Sequence, residues 1–234
     1  MEKPHLQNHH VNLGMIIKNI ILGGQDGLVN VLGIVLGVAT ATASTEIVLL
    51  SGLAATFAES VSMAAVAYTS TKAEEEHYES ELKKETKEIE ETPQEAREEI
   101  RRIYIDKGFS GELLEKVVNQ ITKNKEVWLK TMMRDELGLQ NPKEEMSALN
   151  QGILVGISAF IGSLVPLAPF IFMNVNDAFY TSLGISLLTL FAAGGYKSKI
   201  TSGKWLIGGI EMMVIGGAAA LAGYLVGVAF NVVV

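Results

Sequence analysis

The chain contains no cysteine, and it lacks the clustered positive charge of nucleic-acid-binding proteins. Without thiolates the protein forms no disulfides, cysteine-ligated zinc sites or iron–sulfur clusters. A formal net charge of −7 argues against nucleic acid as a partner. The polar segment Met1–Asn12 also lacks the pattern of a cleaved signal peptide, so we expect the first hydrophobic helix to direct membrane insertion.

The charged residues that are present concentrate in one segment. Residues 72–147 hold 14 Lys and Arg against 20 Asp and Glu, and carry about −6 of the formal charge of −7. The flanking segments, residues 1–71 and 148–234, are almost uncharged. We therefore predict two membrane-spanning parts, 1–71 and 148–234, that flank a soluble segment, 72–147, whose acidic character suits cations.

Five stretches are long and apolar enough to cross a membrane, which takes about 20 residues. The predicted spans are about 20–43, 47–70, 149–172, 178–195 and 205–232. Lys and Arg follow the second span and lie between the fourth and fifth, but they are absent from the loops on the other side. This alternation predicts a cytosolic N-terminus and a cytosolic 72–147 segment, with the C-terminus outside or in a lumen. The fold class is all-α.

The soluble segment is also predicted to be helical. Glu74–Glu91 contains no Gly or Pro, so we expect the second span to continue into the cytosol as one long helix. Further helices follow, and their breaks are predicted at residues that start or stop helices: Thr92-Pro93, Gly108, Ser110 and Gly138. The helix that begins after Ser110 is expected to pack against the core with one face, which carries Leu113, Val117, Val118 and Ile121.

Two acidic residues interrupt the apolar spans. Asp26 lies in the first span and Glu59 in the second, with Met63 one helical turn after Glu59. A carboxylate in the hydrocarbon region costs at least ~2.5 kcal/mol, so it usually has a function. Burial favours the protonated carboxyl group and metal binding the ionised one, so loading a metal releases protons. Adding a thioether to carboxylates shifts preference from Mg²⁺ or Ca²⁺ towards Fe²⁺, Mn²⁺, Co²⁺ or Zn²⁺.

The surroundings of Asp26 allow two interpretations. In one, the glycines in the run Gly23-Gly24-Gln25-Asp26-Gly27 can loosen the helix and expose backbone carbonyls to a cavity. The structural alternative is that Asp26 hydrogen-bonds another helix and that Glu59 pairs with Lys18. Glu211, early in the fifth span, could equally line the pathway or reach the membrane interface.

A second group of candidate metal ligands lies in the soluble segment. It combines carboxylates with thioethers: Glu85, Glu88, Glu95, Glu99, Met132, Met133 and Glu136. Spacings of three or four residues place neighbours on one face of a helix, so three helices could bring these groups together around several ions. For any single glutamate a solvated helix face is the commoner explanation. The combination, next to a membrane pathway, favours metal capture.

With these residues assembled, the chain resembles the vacuolar iron transporter family, whose plant and yeast members load iron or manganese into the vacuole. The matching stretches are IILGGQDGLVNVLGIVLGVATA, GLAATFAESVSMAAVAYTSTKAEEEHYESEL, VWLKTMMRDELGL and GSLVPLAPF. The resemblance implies five transmembrane helices, a homodimer and a cytosolic metal-binding domain inserted between spans two and three. It implies export of Fe²⁺, often also Mn²⁺, from the cytosol in exchange for protons, with the metal as substrate and no permanently bound cofactor.

The resemblance also assigns residues. Asp26, Glu59 and Met63 fall on the family's transport pathway. The ligands of its cytosolic domain fall on Glu85, Glu88, Glu99, Met132, Met133 and Glu136. One position departs, because Ala96 stands where the family has a further glutamate. Glu95 is the expected substitute.

The same comparison gives a second possible substitute for this glutamate and one further departure. Glu98 is the second choice after Glu95 for the missing glutamate. A proline expected after the Asp-Gly of the first span is also absent, and Asn30 is the polar residue that stands nearby. The number of ions held by the soluble segment therefore stays open.

The sequence thus predicts a transporter with no catalytic residues rather than an enzyme. Its expected partners are divalent metal ions, protons, the lipid bilayer and a second copy of the chain. The expected location is the plasma membrane for a prokaryotic protein and the vacuolar membrane for a eukaryotic one. The alternative is a membrane-anchored iron-binding protein of the ferroxidase type, because Glu74-x-x-His77 matches half of a di-iron motif whose second half is missing. A membrane protein that signals metal level through dimerisation is a third possibility.

Overall fold

The computed structural model describes residues 6–142, 146–201 and 203–230, with side chains from residue 14 onwards. Within these ranges the chain is helical and has no strand. The helices are α1 (Leu6–Thr42), α2 (Thr45–Glu91), α3 (Pro93–Asp106), α4 (Gly111–Thr122), α5 (Lys125–Thr131), α6 (Ala148–Phe172), α7 (Val175–Thr201) and α8 (Trp205–Ala229). A π-helical turn, Met132–Glu136, continues α5.

Five helices are long and apolar enough to cross a membrane, namely α1, α2, α6, α7 and α8. The prediction of five apolar spans in an all-helical protein is therefore confirmed. The fourth span, predicted over 178–195, is longer at both ends, because α7 covers Val175–Thr201. The end predicted for the fifth span, Val232, lies outside the described residues, and α8 ends at Ala229.

The chain divides into two compact units, and the first consists of Met1–Tyr68 and Ala148–Val234. Helix α1 lies at its centre and packs on α6, α7 and α8. The core of this unit is built on apolar residues that α1 presents in successive turns, together with one or two residues from each neighbour: Val31, Leu32, Val35, Leu36, Ala39, Val48, Leu167, Phe170, Ala178 and Ala220.

Glycines bring α1 into backbone contact with α6. A methyl group built on Gly27 would lie 2.2 Å from the carbonyl oxygen of Ala159, and one on Gly23 would lie 2.3 Å from that of Val155. Helix α1 runs through this stretch without a break. The interpretation in which these glycines loosen the helix is therefore wrong. They serve close packing, which small residues make possible between helices in lipid.

A similar contact joins α1 to α8. A methyl group on Gly223 would lie 2.0 Å from the carbonyl oxygen of Gly33, and one on Gly227 would lie 2.3 Å from that of Gly37. The glycine pairs of the two helices therefore face each other, and larger side chains would clash at Gly37, Gly223 and Gly227. This is the arrangement expected of small residues spaced four apart in membrane helices.

The second unit, Thr69–Ser147, has a small apolar core of its own. Its members come from the end of α2 and from the helices that follow: Ile89, Ala96, Ile100, Leu114, Val118, Ile121, Trp128 and Met132. Helix α2 runs unbroken to Glu91 and Pro93 begins α3, as predicted. In α4 the buried stripe is centred on Leu114 and Val118, so Leu113, which was expected to face inwards, is 59% exposed.

The last helix of this unit differs from the regular α-helix that the sequence predicts. The N–H of Leu137 donates to the carbonyl oxygen of Met132 at 3.2 Å, which is the five-residue spacing of a π-helix. Gly138 then ends the helix with a φ of +67°. Single π turns inside helices are often found at functional sites. This one contains three of the predicted metal ligands, Met132, Met133 and Glu136.

Candidate functional site

The two acidic residues of the membrane spans face each other. The carboxyl groups of Asp26 and Glu59 are hydrogen-bonded to each other, and Asn30 hydrogen-bonds both. The Asn30 Nδ2 lies 3.3 Å from Oδ2 of Asp26. Two carboxyl groups can share a hydrogen bond only when one of them carries a proton, because ionised carboxylates are acceptors only. The contact between α1 and α2 therefore joins two groups that are able to share a proton.

Antiparallel packing of α1 and α2 brings the pair together. Gly52 of α2 packs against Val35 of α1, where a built methyl group would lie 2.9 Å from its side chain. About two turns further along α2, Glu59 comes level with Asp26. Asp26 lies 16 residues before the end of α1 at Thr42, or about 24 Å at 1.5 Å per residue. From the predicted start of the span at residue 20, Asp26 is six residues, or about 9 Å, away. The pair therefore lies within the span, nearer its N-terminal end on α1.

The partners of Glu59 exclude the pairing with Lys18 that the sequence left open. Glu59 hydrogen-bonds Asp26 and Asn30, while Lys18 is exposed. Met63 is half-buried one turn after Glu59, which places its thioether on the same side of α2. Asp26 thus bonds a neighbouring helix, but its partner is a second carboxyl group rather than a neutralising cation.

Glu211 is not brought to this pair. It is exposed on the surface of α8 and lies among exposed apolar side chains, those of Ile207, Ile210 and Val214. Its neighbour Met212 is buried and packs against Gly194. The side of α8 that carries Glu211 is therefore turned away from the centre of the bundle.

In the second unit, four of the predicted glutamates converge from three elements. Glu85 and Glu88 lie on α2, Glu99 on α3 and Glu136 on the π turn, and each is close enough to affect the ionisation of others. Only about 20 residues of α2 are needed to cross the hydrocarbon region, so its two glutamates lie beyond the membrane-spanning part. We refer to Glu85, Glu88, Glu99 and Glu136 as the carboxylate cluster.

Two oxygen atoms of the carboxylate cluster are buried without a hydrogen-bond partner. They are Oε2 of Glu85 and Oε2 of Glu99. Glu85 is only 6% exposed as a residue, and Glu99 shares a hydrogen bond with Glu88. A buried oxygen without a partner is costly, and buried charges are normally paired or coordinate a metal. Coordination of a cation is one way to satisfy such an atom.

Partial removal from water and mutual repulsion keep protons on the cluster. Burial, followed by the charges of Glu99, Glu85 and Glu88, raises the pKa of Glu136 to about 7. Burial is also the main cause that raises the pKa of Glu85, with Glu88 and Glu99 adding to it. The pKa of Glu99 is raised for the same reasons, although the positive charge of Arg102 opposes the shift. Near neutral pH a cation must therefore displace the proton of Glu136 to bind here.

The two methionines of the π turn are buried in different surroundings. Met132 is 0% exposed and belongs to the apolar core with Trp128 and Ile100. Met133 is 1% exposed but lies outside that core cluster. A thioether is a flexible apolar side chain that fills gaps in a core as readily as it binds a soft metal. Met133 is therefore the better placed of the two to act as a ligand.

Glu95 and Ala96 are placed differently from the carboxylate cluster. Glu95 is exposed and lines a surface cavity of about 450 Å³ with Glu98, Glu99 and Arg102. Its influence on the cluster passes through Glu99, one turn later. Ala96, the residue in place of a family glutamate, is fully buried in the apolar core. The backbone at this point thus turns residue 96 inwards and Glu95 outwards.

Within the described part of the chain, no three His, Asp or Glu side chains already stand in a metal-holding arrangement. The four carboxylates must therefore move closer together to hold one divalent cation. Arg102, which acts on Glu99, was not among the residues predicted from the sequence. Its position three residues after Glu99 on the same helix is the signal that would have identified it.

Known proteins resemble the chain along nearly its whole length, and residues 17–228 match the VIT family. The chain is 35% identical over 228 residues to vacuolar iron transporter 1 of Arabidopsis thaliana, which covers 95% of this chain and 91% of the relative. It is 32% identical over 221 residues to vacuolar iron transporter 1 of Oryza sativa subsp. japonica, which covers 94% and 87%. It is 31% identical over 239 residues to the vacuolar iron transporter of Toxoplasma gondii, which covers 98% and 79%. These relatives are named as transporters rather than enzymes. The five apolar helices and this likeness identify an integral membrane protein, and the chain belongs to the VIT family.

Proposed function

We propose that the protein transports Fe²⁺, and also Mn²⁺, out of the cytosol across a membrane in exchange for protons. The observation that carries this proposal is the hydrogen-bonded pair of Asp26 and Glu59 within the span. Such a pair holds a proton when no cation is bound and must release it to bind one, which couples the two movements. The names of the relatives support iron as the transported metal.

Each residue of the pathway has a distinct role in this proposal. Asp26 and Glu59 bind the cation as carboxylates and carry protons when it has left. Asn30 hydrogen-bonds both and orients them. Met63 contributes a soft thioether, which favours Fe²⁺ and Mn²⁺ over Mg²⁺ and Ca²⁺.

The carboxylate cluster, with Met133, captures divalent cations for transport. Two carboxylate oxygens without partners and pKa values raised by burial and repulsion support this role. The distribution of Lys and Arg between loops supports a cytosolic location for the cluster and for the N-terminus. We further propose that the working transporter is a homodimer. It resides in the plasma membrane of a prokaryote or the vacuolar membrane of a eukaryote.

The decisive experiment replaces the aspartate of the pair. Asp26→Asn keeps the size and hydrogen bonding of the side chain but removes its charge. In proteoliposomes we expect this variant to abolish both Fe²⁺ uptake and the proton counterflow reported by a pH-sensitive dye. Glu211→Gln, which alters another carboxyl group within a span, is the matched control and should retain both. Undiminished transport by Asp26→Asn would overturn the assignment of the pathway.

The ferroxidase alternative receives no support from the structure. Glu74 and His77 are both exposed, and the sequence offers no second Glu-x-x-His to complete a di-iron centre. A di-iron centre of that kind needs two such motifs on facing helices. Oxygen-dependent oxidation of Fe²⁺ without uptake into vesicles would reverse this conclusion.

A further inference from the structure

One ion pair ties the π turn to the end of α3. The Lys107 ammonium pairs with the carboxylate of Asp135, which precedes Glu136 in the turn. The same ammonium lies over the ring of Tyr104, 4.7 Å from its centroid. The Asp135 side chain is 18% exposed and that of Lys107 is 42% exposed, so the pair is partly shielded from water.

The end of α3 provides a firm anchor for this pair. The N–H of Phe109 donates to the carbonyl oxygen of Tyr104 at 3.0 Å, and the two rings lie edge to face at 5.5 Å. Gly108 has a φ of +90°, the left-handed conformation that commonly ends a helix. The backbone that carries Lys107 is therefore held on both sides. The same helix carries Glu99 of the carboxylate cluster about two turns earlier.

The π turn needs such an anchor more than a regular helix does. Its hydrogen bonds follow the five-residue spacing, which is rarer than that of the α-helix. The helix ends just after the turn, where the N–H of Leu139 donates to the carbonyl oxygen of Met133. Glu136 is also repelled by Glu85, Glu88 and Glu99. Without a tether, that repulsion would push Glu136 away from the other three carboxylates.

We propose that Lys107 and Asp135 form a positioning pair that holds the π turn so that Glu136 and Met133 face the other carboxylates of the cluster. Neither residue contacts the cation. Lys107 neutralises Asp135 together with Arg134, whose Nε lies 3.9 Å from Oδ1 of Asp135, so that Asp135 does not add a fifth negative charge to the repulsion. Arg134 belongs to the π turn itself, so only Lys107 ties the turn to α3. The inference rests on the proposed capture of divalent cations by the cluster.

The test measures initial rates of Fe²⁺ uptake by full-length variants in proteoliposomes over a range of Fe²⁺ concentrations. We expect Lys107→Met to raise KM for Fe²⁺ about three- to five-fold, as for a partly shielded ion pair, with the maximal rate unchanged. Lys107→Arg, which keeps the charge, should stay near the wild-type KM. Exchanging the two charges in the double variant Lys107→Asp with Asp135→Lys should restore KM to within about two-fold.

The matched control is Lys125→Met. Lys125 pairs with Glu90 and so ties the start of α5 to the end of α2, but both side chains are more than half exposed, at 52% and 60%. This pair lies at the opposite end of the same helical segment, and its loss should leave KM unchanged. An equal rise in KM for Lys125→Met would overturn the assignment, because the effect would then follow from loosening the segment in general.

Glu136→Gln separates a failure of this inference from a failure of the proposed function. If Glu136→Gln raises KM and Lys107→Met does not, the cluster captures cations and the positioning role is overturned. A lower melting temperature of Lys107→Met with unchanged KM also overturns the positioning role, since the pair would then be merely structural. If Glu136→Gln also leaves KM unchanged, the capture of cations by the cluster is overturned, and the positioning role with it.

Discussion

The protein has two groups of acidic residues, the pair of Asp26 and Glu59 and the carboxylate cluster, and their carboxyl oxygens find hydrogen-bond partners to different degrees. In the membrane-spanning unit, Asp26 and Glu59 find their hydrogen-bond partners in each other and in Asn30. In the soluble unit, the carboxylate cluster leaves two buried oxygens without partners. Lipid offers no water to an unpaired polar group, so the two carboxyl groups in the membrane must bond each other when no cation is bound. The carboxylate cluster lies beyond the membrane-spanning part of α2, and its oxygens without partners leave it open to a cation.

This difference predicts different consequences of removing one carboxylate. We expect Glu59→Gln to lower Fe²⁺ uptake at least ~100-fold at any Fe²⁺ concentration, because the membrane site loses a ligand and a proton carrier together. Glu99→Gln should raise KM and leave the maximal rate nearly intact, because three carboxylates of the cluster remain. Uptake kinetics in proteoliposomes compare the two variants directly. A Glu59→Gln protein that transports normally at high Fe²⁺ would place both carboxylates in the same role.

The pH dependence sharpens the comparison further. The pKa of Glu136 is about 7 in the folded protein, so Mn²⁺ binding to the cluster should weaken about ten-fold for each pH unit below that value. The check is Mn²⁺ titration of the detergent-solubilised protein between pH 5.5 and 8, with Asp26→Asn introduced to silence the membrane site. Adding Glu136→Gln should flatten the profile. A profile that is equally steep with Gln at this position would assign the proton to another group.

The same raised pKa has the opposite effect on stability without metal. Because the folded protein keeps the Glu136 proton up to about pH 7 and the unfolded chain loses it near its ordinary value of 4.5, stability falls as the pH rises through this window. The metal-free protein should therefore lose melting temperature relative to Glu136→Gln between pH 5 and pH 8. Mn²⁺ at pH 8 should restore it by binding the folded state. If the melting temperatures of the two proteins change with pH in parallel, Glu136 does not lower stability in this pH range and the prediction is contradicted.

The sequence predicted the spans well because long apolar runs and helix breakers act locally. Five runs became five helices, and Pro93 and Gly108 stand where helices begin and end. It failed where one residue type serves two purposes. A glycine that loosens a helix and a glycine that admits a neighbouring helix look alike in sequence, and only the contact of Gly27 with Ala159 separates them. The candidate acidic residues were found by type, while the direct contact of Asp26 with Glu59 needed the packing of α1 on α2.

Register was the second limit. The π turn inserts one residue into the helical repeat, and no local pattern in Met132–Glu136 marks it. In α4, Val117, Val118 and Ile121 pack in the core as predicted, but Leu114 rather than Leu113 joins them, and the two leucines are equally apolar. Such choices are decided by which side chain reaches the core, and that depends on the neighbouring helices rather than on the residue itself.

The two methionines of the π turn offer a finer test of core against ligand. Met133→Leu keeps the volume and removes the sulfur, so we expect Fe²⁺ binding to the cluster to weaken about five-fold with little change in melting temperature. Met132→Leu, a matched change in the apolar core, should leave Fe²⁺ affinity unchanged. Anaerobic Fe²⁺ titration and thermal unfolding of both variants provide the measurements. An affinity loss confined to Met132→Leu would exchange the two roles.

The smallest effect is expected at Glu95, the residue that was predicted to replace the missing glutamate at position 96. Glu95 is exposed and acts on the cluster only through Glu99, so Glu95→Gln should change Fe²⁺ or Mn²⁺ affinity by less than about two-fold. Glu98→Gln, a neighbour in the same surface cavity, is the control for the general loss of one negative charge. Stoichiometry from equilibrium dialysis with Mn²⁺ decides the point. If Glu95→Gln lowers the number of bound ions while Glu98→Gln does not, Glu95 is a ligand after all. The cation must then draw the start of α3 towards the carboxylate cluster. Such a movement would extend the contrast between a cluster that is open to cations and a membrane pair whose groups bond each other.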